Sequence, residues 1–307
     1  MNKVFIDGSA GTTGLRIYER LSSRKDINLL TLPEETRKDI NARRDALNSA
    51  DIAFLCLPDD AAKESVGLVE NPGTAIIDTS TAHRVNPDWV YGLPELKGQR
   101  EKIAASKRVA NPGCHATGFI VLAAPLVQAG IISKDEVLSC FSLTGYSGGG
   151  KKMIAQYESE GRDALLDAPR QYGLTQAHKH LPEMAKLSGL THEPVFCPVV
   201  ADYYAGMEVT VSMHDVSVKS LKDCYREYYA DGVVKFVDGD TFSEGGFISA
   251  GAFAGRDDLE ICVYGNDERA LLVSRFDNLG KGASGAAIQN MNILLRIDET
   301  TGLEFNL

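Results

Sequence analysis

The sequence predicts an α/β protein of two domains, one built on a parallel β-sheet and one on a mixed or antiparallel sheet. Its 307 residues suffice for two domains of ordinary size. In the first third, short apolar strands alternate with helical patterns, which is typical of a parallel sheet covered on both faces. From about residue 137, strands follow one another with few helices between them, which indicates a second, α+β domain.

The first turn of the chain carries a glycine pattern. An apolar strand at 3–7 runs into Gly8-Ser9-Ala10-Gly11-Thr12-Thr13-Gly14, and a helical pattern follows. Strand, glycine-rich turn and helix can hold a pyrophosphate on backbone N–H groups, which is the Rossmann arrangement. The spacing is G-x-x-G-x-x-G instead of the usual G-x-G-x-x-G, so a plain tight turn is the alternative. The further predicted strands are 27–32, 51–57, 74–78 and 108–110, with helices at 37–47 and 59–69.

A basic cluster follows the second strand, where a carboxylate would bind the ribose of NAD. Arg37, Lys38, Arg43 and Arg44 would suit the 2′-phosphate of NADP, while Glu34 leaves NAD open. A solvated charged helix is the alternative interpretation.

Cys114 is the first candidate for chemistry. It stands in Asn111-Pro112-Gly113-Cys114-His115-Ala116-Thr117-Gly118, where an apolar helical pattern begins. A helix N-terminus favours the thiolate and lowers a cysteine pKa, so this is a suitable position for a nucleophile. A small buried cysteine is the alternative.

The second domain is expected to hold strands and two polar motifs. Its predicted strands are 137–143, 195–199, 207–213, 233–237, 260–264 and 270–274. The last helical pattern, 282–297, is expected to return to the first domain, which gives domains 1–113 with 282–307 and 114–281. The segment Gly145–Lys152 matches G-x-x-x-x-G-K but lacks the Ser or Thr that holds magnesium, so it is interpreted as an anion nest or an ordinary turn.

His178 and His180 precede Pro182, which favours a helix start there. In an extended chain their side chains would point to opposite sides, so at most one of them is expected to face Cys114. The helix dipole would keep a histidine there neutral and able to accept a proton. Two surface histidines are the alternative, and no metal site is expected because no third ligand is evident.

Composition and charge exclude several classes. The net charge of −10 argues against nucleic acid as a partner but permits a small anionic substrate. The longest apolar run, 119–132, is interrupted and too short to span a membrane. The N-terminus enters a strand directly, without room for a signal peptide, and the six cysteines form no C-x-x-C pair. Free thiols in a reducing cytoplasm are therefore expected.

Four motifs together resemble the N-acetyl-gamma-glutamyl-phosphate reductase family, and the segment Ser80–Arg84 resembles its shorter type. They are the Cys114 motif, Trp89-Val90-Tyr91-Gly92-Leu93-Pro94-Glu95-Leu96, His178-Lys179-His180-Leu181-Pro182-Glu183 and Asp277-Asn278-Leu279-Gly280-Lys281-Gly282-Ala283-Ser284-Gly285-Ala286-Ala287.

The resemblance implies the fold of the semialdehyde dehydrogenases and the reduction of an acyl phosphate to N-acetylglutamate 5-semialdehyde with NADPH, in arginine biosynthesis. It implies a Cys114 thioester, His178 or His180 as acid and base, and a homo-oligomer, dimer or tetramer. The implied cofactor-binding residues are Gly8, Ser9, Gly11, Thr12, Thr13, Gly14, Asn278, Lys281 and Ala283. The implied substrate-binding residues are Arg84, Ser147, Gly148 and Gly149, since Asp78 and Arg84 match the spacing of a phosphate-binding Arg in related enzymes.

Two rival functions stay open. One is aspartate-semialdehyde dehydrogenase or a lysine-pathway reductase of the same architecture, which would act on another acyl phosphate. The other is a non-catalytic dinucleotide-binding sensor in which Cys114 is structural.

Overall fold

The computed structural model describes residues 1–238 and 245–305, and the chain divides into two compact units. The first contains residues 1–112 and 283–303, and the second contains 113–282 and the residues from Glu304 on. The predicted domain boundaries differ by one residue at both places where the chain passes from one unit to the other. They differ also in the C-terminal residues, which were predicted to belong to the first domain. Those residues join the second unit because Asp257 and Glu304 exchange two hydrogen bonds, each 2.8 Å long.

The first unit is built on a six-stranded sheet in which all paired strands are parallel. Its strand order is β2-β1-β3-β4-β6-β5. The predicted parallel sheet is confirmed, and the two-residue β5 is an addition that the sequence pattern did not indicate. The strands are β1 Asn2–Asp7, β2 Ile27–Leu30, β3 Ile52–Leu55, β4 Ala75–Asp78, β5 Val90–Tyr91 and β6 Arg108–Ala110.

Helices cover both faces of this sheet. One hydrophobic cluster contains Ile17 and Leu21 together with Ile288 and Met291, and the other contains Leu47 and neighbouring residues. Burial on both faces explains why the strands are almost wholly apolar. Numbered along the whole chain, the helices of this unit are α1 Thr12–Ser22, α2 Ile40–Ser49, α3 Asp59–Gly67, α4 Gln99–Ala105 and α9 Gly285–Leu294.

The second unit contains a seven-stranded mixed sheet with the order β11-β12-β13-β10-β7-β9-β8. The pairs β7/β9 and β11/β12 are parallel and the other pairs are antiparallel, which confirms the mixed sheet. The strands are β7 Ser139–Gly145, β8 Arg170–Gln171, β9 Val195–Ala201, β10 Met207–His214, β11 Val234–Phe236, β12 Leu259–Asn266 and β13 Arg269–Phe276.

Helix α5, Cys114–Gln128, is almost wholly buried and packs on β10 and β13. A Cβ added at Gly118 would lie 2.4 Å from the side chain of Val209, so a glycine there lets the helix lie directly on the sheet. The other helices of this unit are α6 Gly150–Glu158, α7 Leu181–Ser188 and α8 Val218–Tyr228. The unit has more helix than the sequence predicts. Helix α8 is mostly polar and buries only a narrow stripe that includes Leu221 and Tyr225, so its apolar pattern is weak in the sequence.

Within the described residues, no helix is both long enough and apolar enough to cross a membrane.

Candidate active site

The glycine turn after β1 is shaped by close backbone approaches. Gly8 has φ +89°, and a Cβ there would lie 2.3 Å from the carbonyl oxygen of Cys56. A Cβ at Gly14 would lie 2.4 Å from the carbonyl oxygen of Gly8, whereas Gly11 has more room, 3.5 Å from that oxygen. The turn therefore needs glycine at two positions, and the backbone N–H groups at the start of α1 lie immediately beyond it.

A cavity of about 410 Å³ extends from this turn to the end of β2. Its lining includes Gly8 and Ser9 at one end and Leu30, Thr31 and Leu32 at the other. The predicted residues Thr12 and Thr13 form the first turn of α1. In a parallel sheet, this edge at the carboxyl ends of the strands is where ligands bind.

The basic cluster divides into two parts in the structure. Arg43 is buried, and its guanidinium bonds the carboxylates of Asp7 at 3.1 Å and Glu64 at 2.8 Å, so its charge is neutralised within the protein. Arg37 and Lys38 line the cavity together with Arg43, but both are exposed. Arg37 makes an exposed ion pair with Glu34 at 3.0 Å, and within the described residues Lys38 has no ion-pair partner.

Arg84 lies in the first unit, on the loop that follows β4. Its guanidinium donates to the backbone carbonyls of Asn111 at 2.9 Å and Thr79 at 3.1 Å. The loop is held by the buried carboxylate of Asp78, which contacts Nδ1 of His83 at 2.6 Å. Backbone carbonyls that follow two neighbouring strands, β4 and β6, therefore set the position of the guanidinium.

Cys114 is the first residue of α5, as the sequence predicted. Gly113 precedes the helix in an extended conformation, so the backbone N–H groups of the first turn lie at the half-buried thiol. A Cβ at Gly282 would lie 2.9 Å from Cβ of Cys114, so the glycine makes room for the cysteine. That packing role was not evident from the sequence.

His180 is the predicted histidine that lies at Cys114. The sulfur of Cys114 and ring nitrogens of His180 and His115 lie within 4.8 Å of one another. The expectation that His178 and His180 point to opposite sides is wrong, because the chain forms a turn here, with the N–H of Leu181 donating to the carbonyl of His178 at 3.0 Å. The turn brings the rings of His178 and His180 to 4.8 Å between centroids.

Glu183 connects α7 to the beginning of α5. Its carboxylate is 1% exposed and accepts a 3.2 Å hydrogen bond from the backbone N–H of Gly113. It also lies 4.0 Å from Nε2 of His180. One carboxylate therefore holds the residue before the cysteine by a hydrogen bond and lies near the histidine beside it.

His115 lies beneath the cysteine and is 3% exposed. Its Nδ1 contacts Oγ of Ser142 at 2.7 Å, and its Nε2 contacts the hydroxyl of Tyr172 at 2.6 Å. Burial, together with the neighbouring His178, lowers the pKa of His115 to about 3. With both ring nitrogens engaged, His115 does not complete a metal site with Cys114 and His180.

The glycine-rich segment after β7 contacts the motif at 277–283 through Ser147 and Asn278. The amide of Asn278 donates to Oγ of Ser147 at 3.0 Å and accepts from the N–H of Gly206 at 2.9 Å. Ser147 and Lys281 are each 1% exposed, while Gly148 and Gly149 are exposed. In the first unit, the carbonyl of Ala283 accepts from the side chain of Asn111 at 3.0 Å. Cofactor and substrate contacts for these residues stay predictions.

The sequence reasoning missed four members of this arrangement: His115, Ser142, Tyr172 and Gly282. His115 had a local signal, since it follows Cys114 in the first buried turn of α5. Ser142 and Tyr172 had none, because they reach the site through the pairing of β7 with β9 and of β9 with β8.

Comparisons with known proteins agree with this architecture. Residues 3–106 match the model of the semialdehyde dehydrogenase NAD binding domain, and residues 114–278 match the semialdehyde dehydrogenase dimerisation domain. Among solved structures, aspartate semialdehyde dehydrogenase II from Vibrio cholerae has a TM-score of 0.73 at 16% identity, covering 96% of this chain and 98% of its own. At that identity the likeness shows the fold alone.

Curated relatives are much closer in sequence. N-acetyl-gamma-glutamyl-phosphate reductase 2 of Nostoc sp. is 45% identical over 98% of this chain and 99% of its own. The enzyme of the same name from Pseudomonas putida is 45% identical, over 95% of this chain and 96% of its own. The chain therefore belongs to the N-acetyl-gamma-glutamyl-phosphate reductase family.

Proposed function

We propose that this protein reduces N-acetyl-gamma-glutamyl phosphate to N-acetylglutamate 5-semialdehyde and phosphate with NADPH, in arginine biosynthesis. The observation that carries the proposal is the position of the Cys114 sulfur, at a helix N-terminus and within 4.8 Å of a ring nitrogen of His180. A thiol beside a base is the arrangement of an activated nucleophile. The full-length likeness to reductases of this name supports the choice of substrate.

Cys114 is the proposed nucleophile. Its thiolate attacks the acyl carbon, a C–S bond forms, and the C–O bond to phosphate breaks with its electron pair on the leaving oxygen. Before the attack, His180 accepts the thiol proton and so generates the thiolate; the protonated ring then gives this proton to the departing phosphate. N–H groups at the start of α5 stabilise the oxyanion of this step. The product is a thioester on Cys114.

NADPH, when bound, supplies the hydride that takes the thioester carbon to the aldehyde level, after which the C–S bond breaks and the thiolate is restored. The residues present fit this cofactor, because the turn at Gly8 leaves a cradle that a Cβ would fill and the first turn of α1 offers N–H groups to a pyrophosphate. Arg37 and Lys38, at the far end of the cavity, are the proposed partners of the 2′-phosphate.

The proposed substrate contacts are ionic and backbone-mediated. Arg84 would bind the phosphate, which a guanidinium recognises well. Gly148 and Gly149 are exposed and offer backbone N–H groups to the carboxylate, while Ser147 is fixed by its bond to Asn278 and supports them. Asn278, Lys281 and Ala283 are the proposed C-terminal contacts of the cofactor.

The proposed assembly is a homodimer formed through the open face of the mixed sheet. Helix α5 covers the face that carries Val209. Side chains alternate along a strand, so the neighbouring Thr210 and its partners Phe141 and Val273 point to the other face. Phe141 and Leu271 on that face are each 43% exposed, and the matched dimerisation-domain model covers this unit. The six free cysteines support a reducing cytoplasm as the location.

The reaction is tested in the reverse direction by NADP reduction with phosphate and N-acetylglutamate semialdehyde. We expect turnover with this aldehyde and little with aspartate semialdehyde. Equal or faster turnover of aspartate semialdehyde would assign the rival dehydrogenase function. Cys114→Ala should lose activity by about 10⁴-fold or more, because it removes the nucleophile; undiminished turnover would leave the cysteine a structural role.

The dimer is tested by sedimentation equilibrium. Phe141→Lys should convert the dimer to a monomer by placing an ammonium on the sheet face that forms the proposed interface. Leu165→Lys is the matched control, since Leu165 is 72% exposed and lies outside the sheet. A dimer that persists in Phe141→Lys would contradict this interface.

A further inference from the structure

The loop between Asp78 and Arg84 is closed by one fully buried carboxylate. Oδ1 of Asp78 accepts from the backbone N–H of Ser80 at 2.9 Å, and its Oδ2 accepts from the hydroxyl of Ser80 at 2.8 Å. The same Oδ2 contacts Nδ1 of His83 at 2.6 Å. The carboxylate of Asp78 therefore joins the beginning of the loop to the residue that precedes Arg84.

His83 is the donor in its contact with Asp78. Both carboxylate oxygens accept bonds from Ser80, and an ionised carboxylate only accepts, so Nδ1 of His83 carries the proton. The ring of His83 is 7% exposed and stacks on Trp89, with 4.1 Å between the ring centroids and 15° between the planes. The stack and the bond to Asp78 hold the ring in one orientation, away from water.

Arg84, the next residue along the chain, is fixed by two backbone carbonyls that adjoin Asp78. Its Nε donates to the carbonyl of Asn111 at 2.9 Å, and its Nη2 donates to the carbonyl of Thr79 at 3.1 Å. Thr79 directly follows Asp78, and the N–H of Asn111 donates to the carbonyl of Asp78 at 2.7 Å. A guanidinium is planar, so two bonds from different nitrogens fix both its position and its plane.

We propose that Asp78 and His83 are positioning residues for Arg84. The hydrogen bond between them closes the loop, so that the guanidinium keeps the orientation in which it binds a phosphate group. The proposal rests on the role of Arg84 as the phosphate contact in the proposed function. It assigns a task to a buried carboxylate and a buried imidazole that take no direct part in the proposed reaction.

The first test measures the dissociation constant of inorganic phosphate by the fluorescence of Trp89, the only tryptophan of the chain and the one that stacks on His83. His83→Phe keeps a ring on Trp89 but removes the donor to Asp78, and we expect phosphate to bind about tenfold more weakly. His83→Asn keeps a donor near the position of Nδ1 and should bind phosphate within about threefold of wild type. Thr81→Ala is the matched control in the same loop, because the hydroxyl of Thr81 donates to the exposed Asp59; we expect unchanged binding.

Arg84→Gln identifies the phosphate that the guanidinium binds, and it should weaken phosphate binding by about tenfold or more. Unchanged binding in Arg84→Gln or in His83→Phe would overturn the proposal. Equal losses in His83→Phe and His83→Asn would also overturn it, because the hydrogen bond to Asp78 would then not be the link. These titrations involve no turnover. A failed reductase assay therefore would not decide them, and an active reductase with unchanged phosphate binding in His83→Phe would reject the positioning role alone.

The second test observes the hydrogen bond in the wild-type protein. Two-dimensional ¹H–¹⁵N spectra of histidine-labelled protein, with the His83 signals identified by their loss in His83→Asn or His83→Phe, report whether Nδ1 carries a proton. We expect a proton on Nδ1 throughout about pH 6 to 8, because this nitrogen donates to Asp78. A bare Nδ1 would overturn the proposal.

Discussion

The two predicted sites of this chain are made in different ways. The glycine turn after β1 is made of backbone: Gly8 and Gly14 allow close approaches, and the helix that follows offers N–H groups. The Cys114 site is made of side chains from separate segments, with His180 and Glu183 from the start of α7 and Tyr172 from beyond β8. Backbone geometry thus controls the first site and side-chain packing controls the second, so the two should respond differently to substitution.

The largest effect is expected at the side-chain site. His180→Gln should lower kcat by about 10² to 10⁴-fold, because it removes the proposed acid and base beside Cys114. His178→Gln is the matched control, since its Nδ1 accepts from the backbone N–H of His180 and its ring is outside the group around the sulfur. We expect a loss of less than about tenfold there. A greater loss in His178→Gln than in His180→Gln would reverse the assignment.

The backbone-made site should fail through strain. Gly8→Ala should destabilise the fold by about 3 kcal/mol and weaken NADPH binding, because φ is +89° and the new Cβ would meet a backbone carbonyl at 2.3 Å. Gly11→Ala should change stability by less than about 1 kcal/mol, since its nearest contact is 3.5 Å away. Urea unfolding and NADPH titration measure both. Equal effects of the two substitutions would contradict the close-approach argument.

A smaller effect is expected at the basic end of the cavity. Arg37→Ala with Lys38→Ala should raise KM for NADPH by about tenfold and leave KM for NADH unchanged, because only NADPH carries a 2′-phosphate. Arg44→Ala is the control, since Arg44 does not line the cavity. Steady-state kinetics with both cofactors decide this, and parallel changes for NADH and NADPH would exclude 2′-phosphate recognition by this pair.

The smallest effect is expected on the pH dependence of folding stability, through the neutral ring of His115. Because the pKa of His115 falls to about 3 in the folded protein, the unfolded chain binds a proton that the folded one does not between about pH 3 and 6.5. The stability from keeping this ring neutral is complete above about pH 6.5. It should fall by about 1.4 kcal/mol for each pH unit below that value. Urea unfolding between about pH 6.5 and 5.5 should show this slope in wild type and a flatter one in His115→Gln; equal slopes would contradict it.

The same contrast explains how much the sequence could predict. The parallel sheet, the glycine turn and the position of Cys114 at a helix start all depend on neighbours in sequence, and the structure has each of them. Six of the seven strands in the sheet of the second unit were also predicted, because apolar alternation is a local signal, whereas the two-residue β8 was not. The arrangement of His178 and His180 was predicted wrongly, since extended chain was assumed where a turn forms.

Residues that enter a site through strand pairing left no signal. Tyr172 reaches His115 because β8 pairs with β9 and β9 with β7, and Ser142 lies on β7 itself. Arg43 appeared as a cofactor candidate beside Arg37, but it is buried against Asp7, a partner 36 positions away. The spacing of residues along the chain does not reveal such distant partners.

Cys114 is proposed to carry the acyl group as a thioester. The most direct measurement is mass spectrometry of the protein mixed with N-acetyl-gamma-glutamyl phosphate without NADPH and quenched in acid. We expect one added N-acetylglutamyl group on the Cys114 peptide, which disappears on addition of NADPH as aldehyde forms and never appears in Cys114→Ala. Aldehyde formation without acylation of Cys114, or acylation at the same level in Cys114→Ala, would contradict it.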